Sequence, residues 1–346
     1  MKEVTVVIPN YNGMKYLPEC MASLCQGQEN APEYEVLIID NGSADGGVEY
    51  LDSEWCRKKE APAEEGGKPQ VRLIALPENT GFCHAVNLGI REARSPYVIL
   101  LNNDTRVEPG FVKGLYDAIR KDEKIFSVSA KMLMWDKPEL LDDAGDRYCV
   151  LGWAYSRGKG RPAVDYDKNV SIFSACGGAA IYRRQVFEEI GYFDEAHFAY
   201  LEDLDIGYRA RIYGYENRYE PTASVLHYGS ASTGSRYNSR KTELSSSNNI
   251  YVIGKNMPLL QWILNLPFFL LGFGIKFLFF CISFFSSCGS LQPWAGLVRI
   301  SRSDTACSKQ LCSSVWTPRT TLGLRLLSLS SGKFLRWTRP LFWRLL

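Results

Sequence analysis

Two acidic segments combine side-chain types and spacings that could do chemistry. The first is Asn102-Asn103-Asp104, directly after the apolar run Tyr97–Leu101. On an extended segment, side chains two positions apart point the same way, so Asn102 and Asp104 share a face. A carboxylate ending a buried strand suits a hard cation such as Mg2+ or Mn2+, which takes a few protein oxygens and completes its shell with phosphate oxygens. The plainer reading is a turn cap ahead of Pro109. The second segment is Glu202-Asp203-Leu204-Asp205, opening a helical pattern with Leu204, Tyr208 and Ile212 on one face. Acids in a first helical turn are stabilised by the macrodipole. Asp205 also stands four residues before Arg209, at ion-pair spacing. Three acids nevertheless exceed what capping requires. The helix end favours an ionised carboxylate while like-charged neighbours raise its pKa. That combination suits one general base able to deprotonate a hydroxyl.

The elements that must position these groups show in the hydropathy pattern. Val4-Thr5-Val6-Val7-Ile8 is a continuous β-branched run, as in a strand buried on both faces. Residues 34–39, 71–76 and 97–101 repeat it, with helical stretches near 16–25, 46–59, 85–94 and 111–121. The alternation predicts a parallel sheet covered by helices. Further strands are expected at 127–134, 174–182 and 217–227, with a helix at 204–213. Residues 135–170, polar and weakly periodic, read as an inserted loop region or flap. Ligands of such sheets bind beyond the carboxyl ends of the strands, and polar groups gather there. Pro9-Asn10-Tyr11-Asn12-Gly13, Asp40-Asn41-Gly42-Ser43, Asn79-Thr80-Gly81 and Asn102-Asn103-Asp104 follow successive strands. No G-x-G-x-x-G follows the first strand, which argues against a dinucleotide-binding domain, and the absence of GxxxxGK[ST] excludes a P-loop.

The chain of 346 residues has room for one large domain plus an appendage, or for two domains. A hydrophobic content of 46% excludes a wholly disordered protein. The net charge of +2 conceals an asymmetry: up to Glu243 there are 29 bases and 37 acids, and from Leu244 onward 11 bases and one acid, Asp304. Two such pieces face different surroundings. The 10 cysteines are scattered, without a CxxC pair, and read as reduced core residues. The first apolar run is too short for a signal peptide, so the front domain is expected to stay in the cytoplasm. Residues 259–288 have the length of a spanning helix, interrupted by Pro267 and by Lys276, which is costly in mid-membrane. A span, an interfacial or re-entrant pair and a buried core helix all stand as readings. The basic tail, with Arg325, Lys333, Arg336, Arg339 and Arg344 among Leu and Trp, suits an anionic cytoplasmic leaflet.

One set of segments carries a more specific signal. VVIPNYNG (6–13), VLIIDNGSADG (36–46), ENTGFCHAVNLGI (78–90), VILLNNDTRVEPG (98–110), the run from CGGAAIYRR to LEDLDIGYRARIYGY (176–215) and VLHYGSAST (225–233) occur in this order. Together they resemble a family 2 glycosyltransferase of the GT-A fold, in its rhamnosyltransferase-like branch, from the start of the chain to about residue 255. The resemblance implies a mostly parallel α/β sheet flanked by helices. It implies that Pro9, Asn10 and Tyr11 line a base pocket, that Asp40 bonds a uracil or thymine edge, and that Asn79 and Gly81 approach the nucleotide. Asn102-Asn103-Asp104 stands where such enzymes carry a DxD motif: Asp104 would bind Mg2+ or Mn2+ and Asn102 would face the ribose or diphosphate. The first position departs from the strict motif. Gly177 and Gly178 would admit donor sugar and acceptor, Asp203, with Glu202 beside it, would be the catalytic base, and His227 a second metal ligand.

The implied organisation is a catalytic domain at 1–255, an apolar membrane-associated segment at 256–290 and a basic tail at 291–346. The implied reaction moves a sugar, rhamnose from dTDP-rhamnose foremost, with inversion to a hydroxyl of a glycan or lipid-linked acceptor at the cytoplasmic face of the membrane. A UDP-galactofuranose or UDP-hexose transferase and a non-catalytic nucleotide-sugar-binding scaffold are the alternatives. A sugar nucleotidyltransferase would need a Gly- and Arg-rich loop where this chain has PNYNG. A glycoside hydrolase would not need the nucleotide-pocket motifs. No nucleic acid is expected among the partners.

Overall fold

The computed structural model describes residues 2–57, 69–229 and 239–287. The basic tail at 291–346 and residues 230–233 of the late motif lie outside the described residues. The chain divides into two compact units, Met1–Leu264 and Asn265–Leu346, and the first carries the site.

The first unit is built on a mixed sheet. Strands β1 (Val4–Asn10), β2 (Tyr34–Asp40), β3 (Gln70–Ala75) and β4 (Tyr97–Leu101) run parallel in the order β4-β1-β2-β3. Every position of β2 is buried, which is why its sequence reads as continuously apolar rather than alternating. Helices α1 (Leu17–Cys25), α2 (Gly47–Leu51) and α4 (Phe111–Ile119) bury Leu17, Met21, Leu51, Phe111 and Leu115 on one face. Helices α3 (Phe82–Glu92), α5 (Val186–Ile190) and α6 (Glu202–Ile212) bury Val86, Ile90, Phe187, Ile206 and Ala210 on the other. Gly89 sets how closely α3 lies on the sheet: a Cβ there would come 2.3 Å from Val7.

Beyond β4 the sheet turns mixed. Strand β11 (Ala179–Arg183) enters antiparallel between β4 and β6 (Ile125–Met134). Strand β12 (Glu216–His227) runs parallel to β6, and its end pairs antiparallel with the short β5 (Thr105–Val107). That last pairing sets His227 opposite Thr105, beside Asp104.

Residues 135–170 are not the loop expected from their polarity. β7 (Lys137–Asp143) hairpins back along β6, β8 (Asp146–Tyr148) pairs with β9 (Ala154–Ser156), and β10 (Val170–Ile172) adds to the sheet edge beside β12. The period is hidden because two of the three buried positions ending β7 are the acids Asp142 and Asp143, next to Leu141. The strand expected from residue 174 begins only at Ala179, which leaves 174–178 as a loop at the site.

Two helices close the described chain. α7 (Ser239–Asn256) packs Val252 against Leu204 and Tyr208 of α6. α8 (Leu259–Ser287) is one continuous helix with Pro267 inside it. Its stretch Leu259–Leu278 is the one segment among the described residues long and apolar enough to cross a membrane. Leu260, Ile263, Leu270, Leu271 and Phe277 expose their side chains.

Candidate active site

Asp104, in the turn between β4 and β5, and His227, the last residue of β12, meet at the sheet edge. His227 Nε2 lies 3.4 Å from Asp104 Oδ1, and Nδ1 lies 2.8 Å from Asp142 Oδ2. Asp142 is gripped on its other oxygen by Lys159 Nζ at 2.7 Å. Burial alone would pull the His227 pKa down, but hydrogen bonds to Asp104 and Asp142 outweigh it and raise the imidazole to about 9. Burial likewise works against the Asp142 charge, yet His227 and Lys159 hold this carboxyl well below its ordinary range. The donor set fits a divalent cation once the imidazole gives up its proton to the binding ion. One carboxylate and one ring nitrogen converge, and the other ring nitrogen is fixed by a carboxylate, the usual support of a ligating histidine. Sequence reasoning missed Asp142; its trace was the acid pair 142–143 ahead of Ala144-Gly145, in a segment set aside as loop.

The polar strand ends form a web. Asn10 Nδ2 donates to Asp40 Oδ2 at 2.7 Å, Asn103 Nδ2 donates to Asn10 Oδ1 at 2.6 Å, and the Ser43 N–H donates to Asp40 Oδ1 at 2.9 Å. Asn41 Oδ1 accepts from the N–H and hydroxyl of Thr80, and Asn79 Oδ1 accepts from the Gly81 N–H. Asn10, Asp40 and Asn103 are therefore buried and bonded to one another, whereas Tyr11 and Asn79 are exposed and Pro9 and Asn102 half-buried. The structure brings the four strand ends to one edge and makes the inner residues the scaffold of that edge.

Gly177 and Gly178 join this edge to the acids of α6. The Asn102 N–H donates to the Gly178 carbonyl at 2.8 Å, and the Gly177 N–H donates to Asp203 Oδ2 at 3.3 Å. The other Asp203 oxygen accepts from the Leu204 N–H at 2.8 Å, and the Ser174 hydroxyl donates to the Asp203 carbonyl. Burial raises the Asp203 pKa while these N–H groups lower it, and the net direction is up. Glu202 is pushed up to about 8, by burial first and by Asp203 second, and its Oε2 is buried without a partner. The third acid is different. Asp205 is fully buried, accepts from Arg209 Nε at 2.9 Å, Lys255 at 3.0 Å and Asn256 at 2.7 Å, and so is consumed as a structural anion.

The chain reaches these acids through strained backbone. Phe198, Tyr200 and Leu201 have φ of 54°, 72° and 66°. Each non-glycine residue held in the left-handed region costs about 1 kcal/mol or more, and such strain is retained where the surroundings over-determine it. Gly81 (φ 92°) permits the approach: a Cβ there would come 2.9 Å from the Phe198 ring, whose residue accepts a hydrogen bond from the Phe82 N–H at 3.1 Å.

The family model described as glycosyl transferase family 2 matches residues 5–191. The N-acetylglucosaminyl-diphospho-decaprenol L-rhamnosyltransferase of Mycobacterium tuberculosis is 30% identical over 257 residues, spanning 66% of this chain and 77% of that protein. Glycosyltransferase GlyG of Streptococcus pneumoniae is 24% identical over 199 residues, spanning 56% of this chain and 61% of that one. Among solved structures, GalNAc-T7 with UDP, GalNAc and Mn2+ superposes with a TM-score of 0.56 at 17% identity, covering 73% of this chain and 48% of that one, a likeness of GT-A fold.

Proposed function

This chain belongs to glycosyl transferase family 2, and from that premise we propose that it is an inverting enzyme moving rhamnose from dTDP-rhamnose to a hydroxyl of a lipid-linked N-acetylglucosamine acceptor in cell-envelope polysaccharide synthesis. The observation that carries the reaction is the Gly177-Gly178 link. It bonds Asn102 of the donor edge on one side and the Asp203 carboxylate on the other, so base and diphosphate-binding corner are tied to adjacent residues of one loop. The choice of rhamnose and of a lipid-linked acceptor is supported by the mycobacterial relative, whose name states both.

The residues divide the work. Asn10, Tyr11 and the loop at Asn79–Gly81 line the nucleotide side. Asp104 and His227 would hold Mn2+ or Mg2+, which supplies positive charge for the leaving diphosphate. Asp203 accepts the acceptor proton as the hydroxyl attacks the anomeric carbon from the face opposite the diphosphate, and one displacement inverts that centre. Glu202 keeps the neighbouring charge low by retaining its own proton. The gain from holding two substrates in line rests on a fixed Gly177–Gly178 backbone. The apolar helix α8 supports a place at the cytoplasmic membrane face, where a lipid-linked acceptor lies.

The test is a donor panel. Nucleoside diphosphate release is followed with Mn2+ and a synthetic N-acetylglucosaminyl-diphospho-prenol, using dTDP-rhamnose, UDP-galactofuranose, UDP-glucose and GDP-mannose. The fastest turnover is expected with dTDP-rhamnose. Preference for a UDP-sugar would replace the donor, and preference for the purine nucleotide would overturn the assigned base pocket as well.

A further inference from the structure

Helix α7 turns one face to the segment that leads into the acids. Asn248, Tyr251, Val252, Lys255 and Asn256 recur at helical spacing along it. The Tyr251 hydroxyl and the Lys255 ammonium reach Asp194 at 2.9 and 2.5 Å, and Lys255 continues to Asp205. Asp194, His197 and Asp205 lie close enough together to hold an ion. The Lys255 ammonium already bridges the two carboxylates, and Arg209 also holds Asp205, so this cluster is an ion-pair anchor rather than a second metal centre.

The remaining contact is aimed at backbone. Buried Asn248 donates from Nδ2 to the carbonyls of His197 at 3.1 Å, Ala199 at 2.9 Å and Tyr200 at 2.8 Å. A side-chain amide offers two hydrogens, so the three acceptors share them. These carbonyls belong to the run in which Phe198, Tyr200 and Leu201 take left-handed backbone, and the next residues are Glu202 and Asp203. We infer that Asn248 is a positioning residue for Asp203: by gathering three carbonyls it fixes the left-handed turn from which α6 starts, and so the direction in which the base enters the site. The inference rests on the reading of Asp203 as the base. The nucleotide side of the turn is held independently by the bond between the Phe82 N–H and the Phe198 carbonyl. Loss of Asn248 should therefore disturb turnover and spare donor binding.

The experiment compares full-length Asn248→Ala, Asn248→Ser, Ser246→Ala and Asp203→Asn with wild type, using the donor that wild type turns over fastest in the panel above. Ser246 is an exposed residue of the same helix. Asn248→Ala should lower kcat by about tenfold or more, with donor KM and Mn2+-dependent binding of dTDP or UDP within about twofold of wild type. Asn248→Ser, which keeps one donor, should fall between, and Ser246→Ala should match wild type. Hydrogen exchange should rise at amides 198–205 alone. Wild-type kcat in Asn248→Ala overturns the inference. So does an equal loss of kcat and nucleotide binding, or failure of both Asn248 variants to fold, because Asn248 would then hold the domain and not the acids. Full turnover in Asp203→Asn removes the base assignment by itself. An inactive Asp203→Asn beside an unimpaired Asn248→Ala removes only the role of Asn248.

Discussion

His227 Nδ1 lies 2.8 Å from Asp142 Oδ2, and this bond leaves Nε2 as the ring atom that faces Asp104. A carboxylate in that place fixes the tautomer and orientation of a ligating imidazole, and its loss typically weakens metal binding by about 10–100-fold. Asp142→Ala should therefore raise the Mn2+ concentration needed for binding by that factor, and His227→Ala by more, in titrations followed by the EPR signal of free Mn2+ with dTDP or UDP present. Curves that superimpose on wild type for His227→Ala would leave Asp104 as the one protein ligand and remove Asp142 with it.

Asp203 and Asp205 should separate cleanly under the same substitution. Asp203→Asn keeps size and cannot take a proton at neutral pH, so kcat should fall about a hundredfold or more with donor binding little changed. Asp205→Asn strips the charge that answers Arg209 and Lys255 in a fully buried position. Removing one partner of a buried pair costs roughly 3–5 kcal/mol, so this variant should lose denaturant midpoint first. An Asp205→Asn protein of wild-type stability with no turnover, beside an active Asp203→Asn, would reverse the two roles.

Glu202 gives the pH dependence its sign. Its carboxyl is raised from an ordinary 4.5 to about 8, by burial and then by Asp203. Between these values the native state binds more protons than the unfolded chain, so stability falls as pH rises through the window and the penalty is complete above it. Glu202→Gln is neutral throughout. Its unfolding midpoint should lie near that of wild type at pH 5 and above it at pH 8. Parallel stability curves across pH 5–8 would show that Glu202 carries no buried charge.

Much of the sheet and all four polar strand ends were legible because strands buried on both faces write continuous β-branched runs, as Val4–Asn10 and Tyr34–Asp40 do. What stayed hidden has a common physical cause. The end of β7 buries charge instead of hydrocarbon, so Asp142 and its partner Lys159 look like loop residues until His227 is folded against them. Helix α7 likewise spends Asn248, Lys255 and Asn256 on carbonyls and carboxylates, and a polar inward face leaves no apolar stripe to read. The resemblance to known glycosyltransferases pointed to Asp203, but the positive-φ turn at Phe198–Leu201 that leads into it is built from non-glycine residues and so left no sequence signature.

The two C-terminal helices should be separable by truncation. α8 exposes Leu260, Ile263, Leu270 and Phe277 along a stretch long and apolar enough to span a membrane, and burial of such side chains away from water is worth about 1.5–3 kcal/mol each. A chain ended after Pro258 loses that surface and keeps all of α7, with Asn248, Lys255 and Asn256 in place on the acid-bearing segment. It should move from the membrane pellet to the supernatant without detergent and still bind dTDP or UDP with Mn2+. A chain ended before Ser239 loses the ammonium between Asp194 and Asp205 and the donor to residues 197–200. It should bind nucleotide more nearly normally than it turns over donor. Sedimentation after ultracentrifugation, read beside nucleotide calorimetry, checks both parts. Full-length protein found in the supernatant without detergent would remove the membrane assignment of α8, and full turnover by the shorter truncation would deny α7 any part in placing the acids.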